Sequence, residues 1–212
     1  MNNLRLLRKM AAVALFLLLA GGCRQPATPA PDMQTTQMAS YHDSFLGFAV
    51  EYPAGWEVAP LPFEFLWTQP ATGVEFHSNL SMRGEQAFGR YSISVAVVEA
   101  HGTLTETVRY SLAPVVSEVR DRITQHCCLT VGGEPAVELE GVPWGRWGCR
   151  QIMAVHDGRA YWLTFAPFQP EADTPSDSAA RAAFAAFLRS FAFIPASVSP
   201  APTITPVPTP RQ

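Results

Sequence analysis

The middle of the chain carries short apolar runs of the kind that form β-strands, and residues with turn chemistry separate them. The run at 92–100 (SISVAVVEA) is apolar at both even and odd positions, which predicts a strand covered on both faces. Asp157-Gly158 predicts a tight hairpin, since both residues accept positive φ readily. The predicted strands lie at 45–52, 63–69, 74–79, 92–100, 123–131, 136–140, 147–156 and 160–165. Short turns join the last four, which predicts an antiparallel meander.

Two helices are predicted from signals at their N-termini. Thr103 and Glu106 have the spacing of a capping box, and Pro114 limits the helix that follows. Thr174-Pro175 opens a second helix with a capping residue and a proline at the first helical position. Apolar residues then recur at intervals of three and four, at Ala180, Ala183, Phe184, Phe187, Leu188 and Phe191. This pattern predicts one apolar face that packs on the sheet.

The first 23 residues have the layout of a bacterial export signal. Residues 5–9 include three basic side chains, residues 10–20 form an apolar run of 11 residues, and two glycines precede Cys23. A helix needs roughly 20 apolar residues to span a bilayer, so this run is too short. Residues 19–23 (LAGGC) resemble a lipobox, which implies cleavage before Cys23 and its lipidation. An ordinary secretory signal with an incidental cysteine is the alternative.

Composition changes at both ends of the apolar middle. Residues 24–41 are rich in Pro, Thr, Gln and Ala without periodicity, and predict a flexible tether between the lipid and a folded domain at 42–195. Residues 196–212 are a Pro/Thr-rich tail that is predicted to be disordered, either as an inert end or as a spacer or glycosylated stalk. The predicted location is the cell membrane, with the domain anchored by lipid on the extracytoplasmic side.

Charge excludes several classes of function. The three basic residues of the leader leave 12 basic against 18 acidic residues in the remainder, a formal charge of −6 with neutral histidines. An acidic chain of this kind argues against binding to nucleic acid. Lys9 is the only lysine, so the processed chain has none for Schiff-base, P-loop or Ser-Lys chemistry. No catalytic motif is present in the sequence, and we expect neither an enzyme nor a cofactor.

Three cysteines, Cys127, Cys128 and Cys149, follow the leader. Strand alternation places Cys127 and Cys149 on the apolar sides of their strands, so both are expected to face inward. A meander puts the strand at 136–140 between them, roughly 9–10 Å apart at about 4.8 Å per strand step. A disulfide needs Cα atoms within about 7 Å, so buried thiols are favoured. A disulfide from Cys149 to Cys127 or Cys128 stays open as the alternative.

The other polar candidates have simpler explanations. His126 next to two cysteines offers soft-metal ligands, but neighbouring strand residues point to opposite faces, and we predict no metal site. Glu138 and Glu140 are spaced as paired carboxylates on one strand face, which predicts a solvated face. His156 precedes Asp157 at a hairpin tip, where turn chemistry accounts for the aspartate.

A Gly-rich connection at 141–148 is the best candidate for binding. It presents Trp144, Arg146 and Trp147, residue types that dominate recognition hot spots, at a position where loops carry sites. The alternative is that Trp147 belongs to the core and Trp144 covers the end of the sheet.

Four segments resemble the PsbP-like superfamily, which includes the extrinsic PsbP proteins of photosystem II and the Ran-binding Mog proteins. They are FAVEYPAGW at 48–56, GEPA at 133–136, DGRAYWLTF at 157–165 and FAAFLRSFAF at 184–193. The resemblance implies an α+β fold, an antiparallel β-sheet flanked by helices in a PsbP-like α/β/α sandwich. It also implies docking rather than catalysis, although the chain has no mature lysine for an acidic partner.

The sequence therefore predicts a lipid-anchored, non-catalytic docking protein with an unknown envelope protein as its partner. Two alternatives remain open: a lipoprotein that binds a small ligand or lipid near the tryptophans, and an envelope hydrolase or thiol-dependent enzyme that uses His126, Cys127 or Cys128.

Overall fold

The computed structural model describes residues 37–61, 71–81, 90–144, 147–168 and 174–197. The strands in these ranges are β1 Met38–Asp43, β2 Phe48–Pro53, β3 Glu57–Pro60, β4 Thr72–Ser81, β5 Arg90–Glu99, β6 Thr124–Val131, β7 Glu134–Trp144, β8 Trp147–His156, β9 Arg159–Phe168 and β10 Ala192–Phe193. The helices are α1 Leu104–Leu112, α2 Ser117–Arg120 and α3 Pro175–Ser190.

Two antiparallel sheets organise these strands. The larger has seven strands in the order β3-β4-β5-β9-β8-β7-β6, and the smaller has the order β1-β2-β10. The run from β6 to β9 is the predicted meander, since each strand pairs with the next along the chain. Together with the flanking helices, this arrangement confirms the predicted α+β fold class.

One face of the large sheet packs against α3 and the small sheet. Phe184 and Phe187 of α3 and Phe48 of β2 are almost fully buried there. Phe187 lies 5.2 Å, ring centre to ring centre, from Phe76 on β4, and the two rings meet edge to face. Burial of one such side chain stabilises the fold by roughly 1.5–3 kcal/mol. We call this the α3-side core.

The opposite face packs against α1. Val108 and Leu112 of α1 are buried in a second cluster with Leu139 of β7 and Met153 of β8. Strand β5 contributes to both clusters, since Val95 belongs to the α3-side core and Ala96 to this second, α1-side core. The strand predicted to be covered on both faces is therefore buried on both.

Both long helices begin as the sequence predicted. In α1 the Thr103 amide donates to Glu106 Oε2 at 2.8 Å, and the Glu106 amide donates to Thr103 Oγ1 at 3.3 Å. In α3 Thr174 and Asp177 form the equivalent pair at 2.9 and 3.2 Å. These bonds satisfy backbone donors that have no partner inside the helix. No helix in the described ranges combines the length and the apolar character needed to cross a membrane.

The predicted tether overlaps the folded domain. It was expected to extend to residue 41, but β1 begins at Met38 and pairs with β2 throughout its length. Tyr41 lies edge to face with Phe76 at 5.4 Å, so a strand with few large apolar residues is held by aromatic packing. The leader, residues 24–36, the strand predicted at 63–69 and the end of the tail beyond 197 lie outside the described residues.

Candidate functional site

Strand β6 forms one edge of the large sheet. Within the described part of the chain it pairs only with β7, so one side of its backbone has no strand partner. Residues 124–128, from Thr124 to Cys128, are all exposed. An edge of this kind presents backbone donors and acceptors to a second chain.

A β-bulge interrupts β6 at its cysteines. His126 lies opposite Glu138 and Leu129 lies opposite Ala136, so two residues of β6 face one residue of β7. Cys128 has φ of 75°, a left-handed conformation that is uncommon for a residue other than glycine. The Sγ atoms of Cys127 and Cys128 lie 3.2 Å apart, and both residues are exposed. A hydrogen bond to Cys127 and the charge of its sulfur raise the pKa of the Cys128 thiol.

The bulge also corrects the predicted orientation of Cys127. Ile123 packs against the α1-side core, whereas Leu129 packs against the α3-side core. Successive strand residues point to opposite faces of the sheet. One extra residue therefore moves every side chain after the bulge to the face opposite the one that simple alternation predicts. Simple alternation does not show this inversion. Cys127 is exposed, so the prediction that it faces inward is wrong.

Cys149 lies on the face that alternation predicted. It is 0 % exposed in the α1-side core with Met153, and its Sγ donates to the Val142 carbonyl at 3.5 Å. Burial raises the pKa of this thiol to about 12. Cys127, Cys128 and Cys149 are all free cysteines, so the structure contains no disulfide between Cys149 and either neighbour.

Glu138 and Arg150 form an ion pair beside α3. The Arg150 guanidinium donates through Nε to Glu138 Oε1 and through Nη2 to Oε2, the latter at 2.9 Å. The guanidinium carbon lies 5.8 Å from the centre of the Phe184 ring. The Glu138 side chain is 9 % exposed and that of Arg150 is 33 % exposed. The prediction of a solvated face is therefore wrong for Glu138. A carboxylate that is so little exposed requires a partner of opposite charge, which Arg150 provides.

His126 and Glu140 extend this pair toward the edge of the sheet. His126 Nε2 lies 3.5 Å from Glu140 Oε2, and both side chains are partly exposed. We call His126, Glu138, Glu140 and Arg150 the polar row. Both oxygens of Glu138 are occupied by Arg150, so this carboxylate is placed for ion pairing rather than for proton transfer. Within the described ranges, no group of three or more His, Cys, Asp or Glu residues is placed to hold a metal ion.

No short sequence motif points to Arg150. An arginine inside a predicted strand is ordinarily solvated, and alternation predicts the same for its partner Glu138. The available hint was the position of Arg150 two residues before the buried Ile152, which puts both side chains on one face of β8.

The predicted binding residues of the β7–β8 connection lie outside what the structure describes. The backbones of Trp144 and Trp147 are register partners at the ends of their strands. Arg146, and the side chains of both tryptophans, are not among the described parts of the chain. Their role in binding stays a prediction.

His156 is held by packing at the β8–β9 hairpin. Its ring stacks on Phe193 with centres 4.3 Å apart, and Nδ1 lies 2.9 Å from Glu134 Oε1. Asp157 adopts positive φ in the turn, as the Asp-Gly signal predicted. These contacts give His156 a structural role at the junction of the two sheets.

No family model and no curated protein matches this chain. Among solved structures, the chain is similar to the solution structure of cyanobacterial PsbP from Synechocystis sp. PCC 6803. The identity is 14 %, the match covers 79 % of this chain and 99 % of that chain, and the TM-score is 0.47.

Proposed function

We propose that this chain is a lipid-anchored, extracytoplasmic docking protein that binds an envelope protein complex through the β6 edge of its large sheet. The observation that carries the proposal is the exposure of residues 124–128 on a strand that, in the described part of the chain, pairs on one side only.

The leader supports the membrane attachment. Its basic residues, short apolar run and Cys23 are arranged as in bacterial lipoproteins, in which the cysteine receives the lipid. A single acyl chain binds membranes only weakly, and attachment of more than one chain produces a stable anchor. A protein held in this way meets its partners at the membrane surface.

The composition of β6 supports docking at this edge. Its sequence, TQHCCLTV, contains none of the lysines or prolines that proteins commonly use to block pairing at an exposed edge. The bulge at Cys127 and Cys128 limits regular pairing with a partner strand to the segments 124–126 and 129–131. An added strand would gain affinity from backbone hydrogen bonds and specificity from the exposed side chains.

The test is a crosslinked pull-down of the full lipoprotein from its own membranes. The variant Gln125→Lys/Thr130→Lys places two cations on exposed positions of β6 and should abolish capture of the partner. The control Gln37→Lys/Thr105→Lys changes the same residue types at exposed positions away from β6, and should leave capture unchanged.

A third arm separates the two candidate surfaces. The variant Trp144→Ala/Trp147→Ala alters the β7–β8 connection without changing β6. Loss of the partner in this variant, with capture retained by the lysine variant of β6, would move the site to the tryptophans. Failure of the wild-type chain to capture a defined partner would contradict docking.

A further inference from the structure

We propose that Cys127 and Cys128 form a reversible dithiol site that closes to a vicinal disulfide by exchange with low-molecular-weight disulfides. The proposal rests on the geometry of β6 and does not depend on the docking function. It concerns the one place in the described ranges where two exposed cysteines have their sulfur atoms in contact.

The local backbone brings the two sulfurs together. In a regular strand, neighbouring side chains point to opposite faces, which keeps adjacent thiols apart. Here the bulge and the positive φ of Cys128 bring the Sγ atoms to 3.2 Å. A left-handed conformation is energetically unfavourable for a residue other than glycine. Such an outlier is a reason to look for a function at that position.

The exposure of the pair admits a reactant. Attack on a disulfide requires the thiolate and open access to it. Cys127 and Cys128 are both exposed on the sheet edge, whereas Cys149 is buried and burial raises its pKa to about 12. The two sulfurs are in contact, so the hydrogen bond to Cys127 and the charge of its sulfur raise the pKa of the Cys128 thiol. Because Cys149 is buried, it is excluded as the second thiol of the exchange.

The exchange balances in two steps with a small disulfide, RSSR, as the oxidant. The Cys127 thiolate attacks one sulfur of RSSR, which forms a Cys127–S–R mixed disulfide and releases RS⁻. The Cys128 thiolate then attacks the Cys127 sulfur, which forms the Cys127–Cys128 bond and releases the second RS⁻. The protein loses two electrons and two protons, and the oxidant becomes two molecules of RSH.

The resulting bond would be easily reduced. Adjacent Cα atoms lie about 3.8 Å apart across a trans peptide, which is closer than the roughly 4.4–6.8 Å usual for a disulfide. The departure from ordinary geometry makes the bond more reducible, and exposure gives a reductant access to it. The pair also closes almost no loop, so it contributes little to the stability of the fold. These properties fit a reversible site rather than a structural crosslink.

The sequence makes a clean assay possible. Trypsin cleaves after Arg122, Arg146 and Arg150, so one peptide, 123–146, holds both Cys127 and Cys128, and another, 147–150, holds Cys149. The reduced full-length protein in detergent is incubated with glutathione disulfide, the reaction is quenched, free thiols are alkylated, and the peptides are analysed by mass spectrometry. We expect peptide 123–146 to be two hydrogen atoms lighter than its unmodified dithiol form and to carry neither glutathione nor an alkyl group. During the reaction the protein should release two molecules of reduced glutathione per chain.

Variants distinguish ring closure from simple thiol modification. Cys128→Ser should stop at a mixed disulfide on Cys127 and release one glutathione per chain. Cys149→Ala should behave as the wild type. A later excess of reduced glutathione should reopen the wild-type bond.

Four results would overturn the proposal. They are persistent glutathione on both cysteines, a crosslink to Cys149 or to a second chain, failure of the folded protein to react, and a bond that reduced glutathione does not reopen.

Discussion

The Tyr91 hydroxyl of β5 donates a hydrogen bond to Oδ1 of Asp177 in the first turn of α3. Asp177 also closes the capping box with Thr174 through its other carboxylate oxygen. One carboxylate thus satisfies the start of the helix and attaches that start to a central strand of the large sheet. The bond is buried, although 86 positions separate the two residues.

Loss of this hydroxyl should destabilise the domain. We expect Tyr91→Phe to lower the free energy of unfolding by about 1–2 kcal/mol, because a buried carboxylate loses a charge-assisted hydrogen bond. Urea denaturation measures the change. Tyr110→Phe is the control, since Tyr110 is exposed on α1, and it should alter stability by less than about 0.5 kcal/mol. Equal effects of the two substitutions would show that the bond to Asp177 adds nothing.

The same bond predicts a dependence on pH. Burial raises the pKa of Asp177, but hydrogen bonds from Thr174 and Tyr91 outweigh it and hold this pKa below its ordinary value of 3.8. The folded state therefore binds the proton less readily than the unfolded state. The stabilisation is present above the ordinary pKa and is lost as the pH falls through that value and then through the lower pKa of the folded state.

We expect the stability difference between wild type and Tyr91→Phe to shrink between about pH 5 and pH 2, the range around and below the ordinary pKa of 3.8. Urea midpoints at a series of pH values measure it. The pKa of Glu106 is also lowered, by hydrogen bonds with Thr103, but this group is present in both proteins and cancels in the difference. A difference that stays constant across this range would contradict the linkage.

Removal of Arg150 alone should lower the free energy of unfolding more than removal of both charges of the ion pair. Arg150→Met leaves the Glu138 carboxylate, which is 9 % exposed, without its partner. We expect a loss of about 2–3 kcal/mol, below the value for fully buried pairs because Arg150 is a third exposed. The double variant Glu138→Gln/Arg150→Met should be more stable than Arg150→Met alone. A double-mutant cycle by urea denaturation measures the coupling, and strict additivity would exclude it.

Two neighbouring glycines in the β6–β7 turn should respond differently to alanine. Both have positive φ, but a Cβ at Gly132 would lie 2.7 Å from Phe193 Cδ2, whereas a Cβ at Gly133 would have no atom within 4 Å. Gly133→Ala should cost about 1 kcal/mol through backbone strain alone. Gly132→Ala should cost about 1–2 kcal/mol more, because Phe193 must move from its stack on His156. Thermal unfolding compares the two, and equal losses would show that Phe193 yields without cost.

Local chemistry accounts for the parts of the fold that the sequence predicted. The capping boxes at Thr103 and Thr174 and the turn at Asp157-Gly158 each need residues only a few positions apart, so their signals are complete in a short window. The burial of β5 on both faces was predictable because apolar residues occupy both even and odd positions of the strand.

The remaining features depend on contacts that short windows do not contain. At the bulge, Cys127 and Cys128 together lie opposite one residue of β7. The sequence of β6 alone does not show this pairing, so the strand looks regular. The two residues of β10 become a strand only because β2 lies beside them. Alternation alone predicts a solvated Glu138, because its partner Arg150 comes from a different strand and Phe184, which lies against that guanidinium, comes from α3.

The small sheet sets how the domain would respond to a pulling force. Strands β1 and β10 flank β2 and run in the same direction, with Met38 opposite Pro53 and Phe193 opposite Phe48. The chain enters at one end of β2, while Ser197 is hydrogen-bonded beside Ser44 at the other end. Tension applied between Gln37 and Ser197 would act along the strand axis in opposite directions on the two flanking strands. The interstrand hydrogen bonds would be loaded in shear and would share the force, so the domain resists extension better than one whose strands peel apart singly.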